Sequence, residues 1–210
     1  MISVDLGIEV ASLTLECSVN QTEVILNSKE LDLEHLPLQS KLVRSACAAF
    51  VTEEDVVAAV LLGSLAAGGG DRVSDADIIV FTKNGFHKSA EKCFSAFEYG
   101  KEIFYQLNGF HSDNAYFKKY IFNDLTSAEI HFLDLSESFG ISKPFKVLFD
   151  KNGVVEQRLT DEPAPKHENF PAYTYGDEGL TWELFDCIKW ISRGNHELAK
   201  NHLKKLVGQF

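Results

Sequence analysis

The chain contains no run of 18 apolar residues, the length a helix needs to cross a bilayer, so no membrane-spanning helix is expected. Its first residues, Met-Ile-Ser-Val-Asp-Leu, lack the basic stretch and apolar run of a secretory leader, and none is expected. Positive charge is scarce. Lys and Arg total 20 against 31 Asp and Glu, a net charge of −11. Nucleic acids and anionic membranes are bound through basic surfaces, so both are set aside as partners. A cationic or neutral small molecule stays compatible with this balance, although excess acid of this kind often serves only solubility. The four cysteines, Cys17, Cys47, Cys93 and Cys187, form no C-x-x-C pair, which excludes a zinc ribbon or a thioredoxin-type motif and suits a reducing cytoplasm. None of the seven histidines belongs to an H-E-x-x-H motif. His131, set in an apolar run, reads as a packed or hydrogen-bonded residue rather than a metal ligand.

What is present is ordinary globular material. Apolar residues make up 45% of 210, enough to bury a core without disulfides or metal staples. Three regions follow from the pattern: an N-terminal extension over 1–34, a main domain over 35–160, and a linker with a helical segment over 161–210. Within the extension, the runs Ser12–Val19 and Thr22–Asn27 around Asn20-Gln21 suggest a hairpin. Leu38, Leu42, Val43 and Cys47 recur at three-to-four spacing and predict a helix over 36–50, with Pro37 in its first turn. The aliphatic run 55–62 predicts a strand buried on both faces and closed by Gly63. Further strands are expected over 76–82, 101–107, 116–122, 128–135 and 145–149, with turns at Asn108-Gly109, Asn123-Asp124 and 150–153. A helix is expected over 86–97 with Cys93, Phe94 and Phe97 inward.

Pro163, Pro165, Pro171 and Gly176 mark a linker over 160–177. A helix with Trp182, Phe185, Ile188, Trp190 and Ile191 on its apolar side then runs to Gly194. Asn195 is placed to cap a second helix carrying Leu198, Leu203 and Leu206. The expected fold class is therefore α/β in the broad sense (α+β): a mixed sheet flanked by helices, with a short C-terminal helical segment.

One stretch carries chemistry. A strand ends at Gly63-Ser64, a loop of ten residues follows, and Asp75-x-Asp77 heads the next strand. Gly63 has no side chain, so a phosphate can approach its backbone closely. Ser64 offers a hydroxyl and a backbone N–H to an anion. Residues i and i+2 of a strand point the same way, so Asp75 and Asp77 project together and suit Mg²⁺. Acidic pairs at this spacing also occur at Glu30/Asp32, Asp32/Glu34 and Glu53/Asp55, so the pair alone means little. Only Asp75/Asp77 combines a Gly-Ser strand end upstream with an apolar strand downstream.

With those residues in place, the segment resembles the signature of the nucleotidyltransferase superfamily that includes DNA polymerase beta. More narrowly it is similar to the antibiotic nucleotidyltransferases that modify aminoglycosides and lincosamides. The run 146–153 and the Trp-containing helix ending in Ser192-Arg193-Gly194 are similar to that group too. The resemblance implies a nucleotidyltransferase-type sheet over about 35–155 and a transfer of a nucleoside monophosphate from an NTP to an acceptor hydroxyl. The acceptor it implies is a hydroxyl-bearing small molecule, of which an antibiotic is one class. One or two Mg²⁺ would be held by Asp75 and Asp77, with a third carboxylate that matches best at Glu129, as ligand or as base. Asp134 is the rival for that role but lies near its strand's end. Gly63, Ser64, Ser74 and Arg72 fall where the nucleotide phosphates are held. Relatives commonly carry an Arg shortly after the Gly-Ser, where this chain has Ala66-Ala67, and Arg72 is the nearest basic residue.

That departure and the Gly68-Gly69-Gly70 loop leave a second expectation open, a catalytically inactive nucleotide-binding or interaction module of the same fold. A member that modifies a protein hydroxyl is a third. The short C-terminal part is compatible with a homodimer that completes an acceptor pocket. Tyr173, Tyr175, Trp182 and Trp190 are aromatic candidates for that pocket, although the spacing of the two Trp favours a core role.

Overall fold

The computed structural model describes residues 33–166 and 169–209. The N-terminal extension and its expected hairpin lie outside the described residues. Helix α1 (Pro37–Val51) comes first, opened by a proline in its first turn and burying Leu42, Val43, Ala46, Cys47 and Phe50 at helical spacing. Leu42, Val43 and Cys47 are buried as expected, but at the start of the helix Leu38 is 39% exposed and Gln39 is buried in its place. The Gln39 amide explains the burial, since it donates to the Arg72 carbonyl at 2.6 Å and so ties α1 to the loop ahead of β2.

Strand β1 (Val56–Leu61) is buried at every position, as its unbroken apolar run requires. A single short turn, α2 (Gly63–Ala66), and the loop lead to β2 (Ala76–Thr82), which pairs antiparallel with β1. A 3₁₀ turn at Phe86–Ser89 and helix α3 (Glu91–Glu98) replace the single helix expected over 86–97. Cys93, Phe94 and Phe97 do point inward. Strands β3 (Ile103–Ser112), β4 (Ala115–Phe122) and β5 (Ser127–Asp134) follow, then β6 (Lys146–Asp150). Asn108-Gly109 is not a turn; β3 continues through it, because Gly109 leaves room for the Phe117 ring, and a Cβ there would stand 3.1 Å from it. Two helices, α4 (Gly176–Ser192) and α5 (His196–Val207), close the described chain.

The result is a mixed α+β fold: one six-stranded sheet in the order β3-β4-β5-β2-β1-β6, with helices packed against it and a helical segment at the C-terminal end. Among the six described strands of the sheet, β2 and β5 are the one parallel pair. Helices α1 and α3 cover one face, where Phe50, Phe94, Phe97 and Phe132 interlock; the Phe94 and Phe132 ring centres are 4.9 Å apart. Such aromatic pairs add about 0.5–1.5 kcal/mol each to the burial term. The opposite face is shared. Ile141, Val154 and Val155 cover Ile79, Phe81 and Leu133, while Trp182 and Phe185 of α4 pack on Ile121. No helix among the described residues is long and apolar enough to cross a membrane.

Candidate functional site

Gly63 ends β1 with φ at +68°, a left-handed conformation that glycine adopts without strain. A Cβ built there would collide with the Asp77 carboxylate. The Leu62 N–H donates to the Asp77 carbonyl at 2.8 Å, which holds the end of β1 against the head of β2. The loop between them is organised by Asp71. Its Oδ1 accepts the Val73 N–H at 3.1 Å and the Ser74 hydroxyl at 3.0 Å. The Ser64 hydroxyl donates to Ser74 Oγ at 3.0 Å, so the two serines face each other across the loop. From the far end of the chain, Arg193 donates to both Asp71 oxygens, at 2.7 and 2.8 Å, and to Ser74 at 3.1 Å. That two-pronged contact is the strong form of an Arg–carboxylate pair. It pulls the Asp71 carboxyl from 3.8 down to about 2.

Asp75 lies just before β2. Its Oδ1 accepts the Ser127 hydroxyl and its Oδ2 accepts Lys189 Nζ at 2.5 Å. The same ammonium meets Asp186 at 2.6 Å. The parallel register of β2 and β5 sets Asp77 directly opposite Glu129. Glu129 is gripped on both oxygens, by Lys119 at 2.9 Å and by His131 Nε2 at 2.9 Å. Asp134 sits at the other end of the same pairing, opposite Thr82, and accepts the Gly85 N–H at 2.9 Å.

Four carboxylates thus share two ammonium groups here: Asp75, Asp77, Glu129 and Asp186 against Lys119 and Lys189. The excess is visible in the acids. Burial, then the negative charges of Asp75 and Glu129, push the Asp77 carboxyl well above its ordinary value, with Lys189 pulling the other way. Burial and Asp75 raise Asp186 against the pull of Lys189. Glu129 behaves oppositely: burial works against its charge, but Lys119 and His131 hold it well below the usual carboxylate range. Oxygen donors crowded in this way form a site whose self-repulsion a hard divalent cation relieves.

Beyond Glu129 the surface turns aromatic. His111 of β3 stacks on Phe117 at 4.4 Å and on His131 at 5.0 Å, and the Tyr175 hydroxyl lies 3.2 Å from its Nδ1. Burial and the neighbouring His131 lower the His111 imidazole to about 4, so it is neutral near pH 7. Trp182 is buried, with the Lys119 and Lys189 ammonium groups 5.0 and 5.1 Å from its ring centre. Trp190 packs apart from this, with Cys187 and Ala199.

The residues singled out from sequence therefore separate. Asp75, Asp77, Glu129, Gly63, Ser64 and Ser74 are linked by the contacts above. Arg72 is exposed and enters the loop through its carbonyl. Lys189, Asp186, Lys119 and Arg193 were not singled out as site residues. Lys119 and Lys189 carry no local motif, and their roles depend on strand register and helix docking. The spacing of Asp186, Lys189 and Arg193 along one helix face is the only trace the sequence holds. No protein-family model matches the chain, and no curated protein matches it in sequence.

Proposed function

We infer that this chain is a metal-dependent nucleotidyltransferase, moving a nucleoside monophosphate from an NTP to a hydroxyl of a small-molecule acceptor and releasing pyrophosphate. The observation that supports this best is the convergence of Asp75, Asp77 and Glu129 at the head of the one parallel strand pair, against a glycine that leaves Asp77 room. The donor set fits Mg²⁺, since it consists of carboxylate oxygens with a surplus of negative charge. Bound there, the ion would neutralise phosphate charge and favour in-line displacement at the α-phosphorus.

The chain's own residues do the rest. Asp75 and Asp77 would hold the metal. Gly63 and Ser64, both exposed, border the same carboxylates and offer a close backbone approach and a hydroxyl to the β- and γ-phosphates. Lys189 and Arg193 bring the positive charge that Ala66-Ala67 lack, from the end of α4. Glu129, held ionised by Lys119 and His131, is too weak a base to take a proton efficiently and serves as fixed negative charge facing the site. The acceptor oxygen bonds to the α-phosphorus as the bond to pyrophosphate breaks, its hydroxyl proton passes to solvent water, and catalysis is positioning and charge neutralisation. The buried free thiols of Cys47, Cys93 and Cys187 suit work in a reducing cytoplasm.

A second reading, an inactive nucleotide-binding or interaction module, draws on Lys189. Its ammonium already satisfies Asp75 and Asp186, so the ligand-free cluster does not need a metal to persist. Pyrophosphate release decides between them. With NTPs, Mg²⁺ and a panel of aminoglycosides and lincosamides, the wild type releases pyrophosphate and Asp77→Asn does not. Turnover by Asp77→Asn equal to wild type would sink the transferase.

A further inference from the structure

We propose that His111, Glu129 and His131 form a second cation site, bordering the Asp75–Asp77 pair through Glu129 and suited to a divalent transition metal of the zinc class. The donor atoms of these three residues lie within 4.8 Å of one another. The set is two imidazoles and one carboxylate, the mixture that zinc and its neighbours take with a fourth position left open, and one that magnesium does not seek.

Sheet register builds the site. Glu129 and His131 project from one face of β5, two residues apart, and Phe117 of β4 lies opposite His131. His111 reaches the same place from β3 by stacking on that phenyl ring. Two of the three ligands have an outer support of the kind that orients metal ligands. Lys119 holds the Glu129 Oε2 at 2.9 Å, leaving Oε1 turned to His131. The Tyr175 hydroxyl stands 3.2 Å from His111 Nδ1; with that N–H donated to the hydroxyl oxygen, the Nε2 lone pair is left for an ion.

Zinc bonds of about 2.0–2.1 Å bring tetrahedral donors to within roughly 3.5 Å of each other. Glu129 and His131 already stand at 2.9 Å, so the approach left to make is that of His111. Its side chain is exposed, and a swing of the ring off its stack on His131 supplies the movement. Nothing in this inference rests on nucleotide transfer, and its test uses no nucleotide.

The full chain, stripped with chelator, is titrated with Co²⁺ as a coloured stand-in and then with Zn²⁺. One equivalent of Co²⁺ is expected to give the intense visible bands of a four- or five-coordinate nitrogen–oxygen site, with no thiolate charge-transfer band, whether or not further cobalt binds weakly coloured at the carboxylates, and Zn²⁺ displaces it. His111→Phe keeps a ring on Phe117 and abolishes the bands, as does His131→Gln. Asp75→Asn/Asp77→Asn retains them, and so does His202→Gln, which removes the other His–Glu pair, to Glu183 at 2.8 Å. Absence of bound Co²⁺, a thiolate band, bands surviving in His111→Phe, or bands lost only in the Asp75/Asp77 variant would each overturn the proposal. His111→Phe alters an exposed strand position, so it remains decisive even if His131→Gln does not fold.

Discussion

At Gly63 two demands meet: the backbone stands at φ +68°, and a side chain there would run into the Asp77 carboxylate. Gly63→Ala should therefore cost about 1–3 kcal/mol from backbone strain, with the carboxylate contact added. Chemical denaturation reads it, and wild-type stability in the variant would contradict the close approach. The Asp-x-Asp is legible in sequence only in combination, because acidic pairs at that spacing recur elsewhere and this one alone follows a Gly-Ser strand end and heads an apolar strand. Glu129 was legible only as one of two acids on a strand, and the β2–β5 register puts it, not Asp134, beside Asp77. Asp71 yields a pH prediction. Its folded carboxyl is depressed from 3.8 to about 2, so its contribution is complete above the unfolded value and is lost as pH falls between those two values. Asp71→Asn should flatten the stability profile in that acid window and leave its shape near neutrality unchanged. A slope unchanged by the substitution would show that the Arg193 contact is not formed in solution.

Elements were legible where one period dominates. Strand β2 fell on the expected residues 76–82 because Ile78, Ile79, Val80 and Phe81 form an unbroken buried run. Asn108-Gly109 is strong turn chemistry and predicts an end to β3 there, but the need of the Phe117 ring for space against Gly109 prevails and the strand continues. Helix α4 shows the reverse error. Ile188 and Ile191, counted as part of its apolar side, are 59% and 47% exposed, while the charged Lys189 is buried. Period alone cannot reveal that a lysine turns inward to meet two aspartates. Asn195 stands at the start of α5 as expected but makes no side-chain cap bond. Two substitutions separate core from surface. Phe94→Ala, in the aromatic cluster with Phe50 and Phe132, should lose about 3–5 kcal/mol. Ile188→Ser should stay within about 0.5 kcal/mol, measured by the same denaturation curves.

Across the whole molecule, the C-terminal end of α4 is tied to the loop ahead of β2. Lys189 reaches Asp75 and Arg193 reaches Asp71, contacts spanning 114 and 122 residues. Sheet and helix together thus form the carboxylate cluster, with Asp75, Asp77 and Glu129 from the sheet side and Asp186 and Lys189 from α4. Under the proposed function, Asp75 and Asp77 bind a metal-bound nucleoside triphosphate. Calorimetric titration of Mg²⁺-ATP and Mg²⁺-GTP into the wild type and into the folded Asp75→Asn/Asp77→Asn variant tests it most directly. The account predicts binding of at least one nucleotide that requires magnesium and disappears in the variant. Folded wild type that binds neither nucleotide, or binding that persists without the two aspartates, would contradict it.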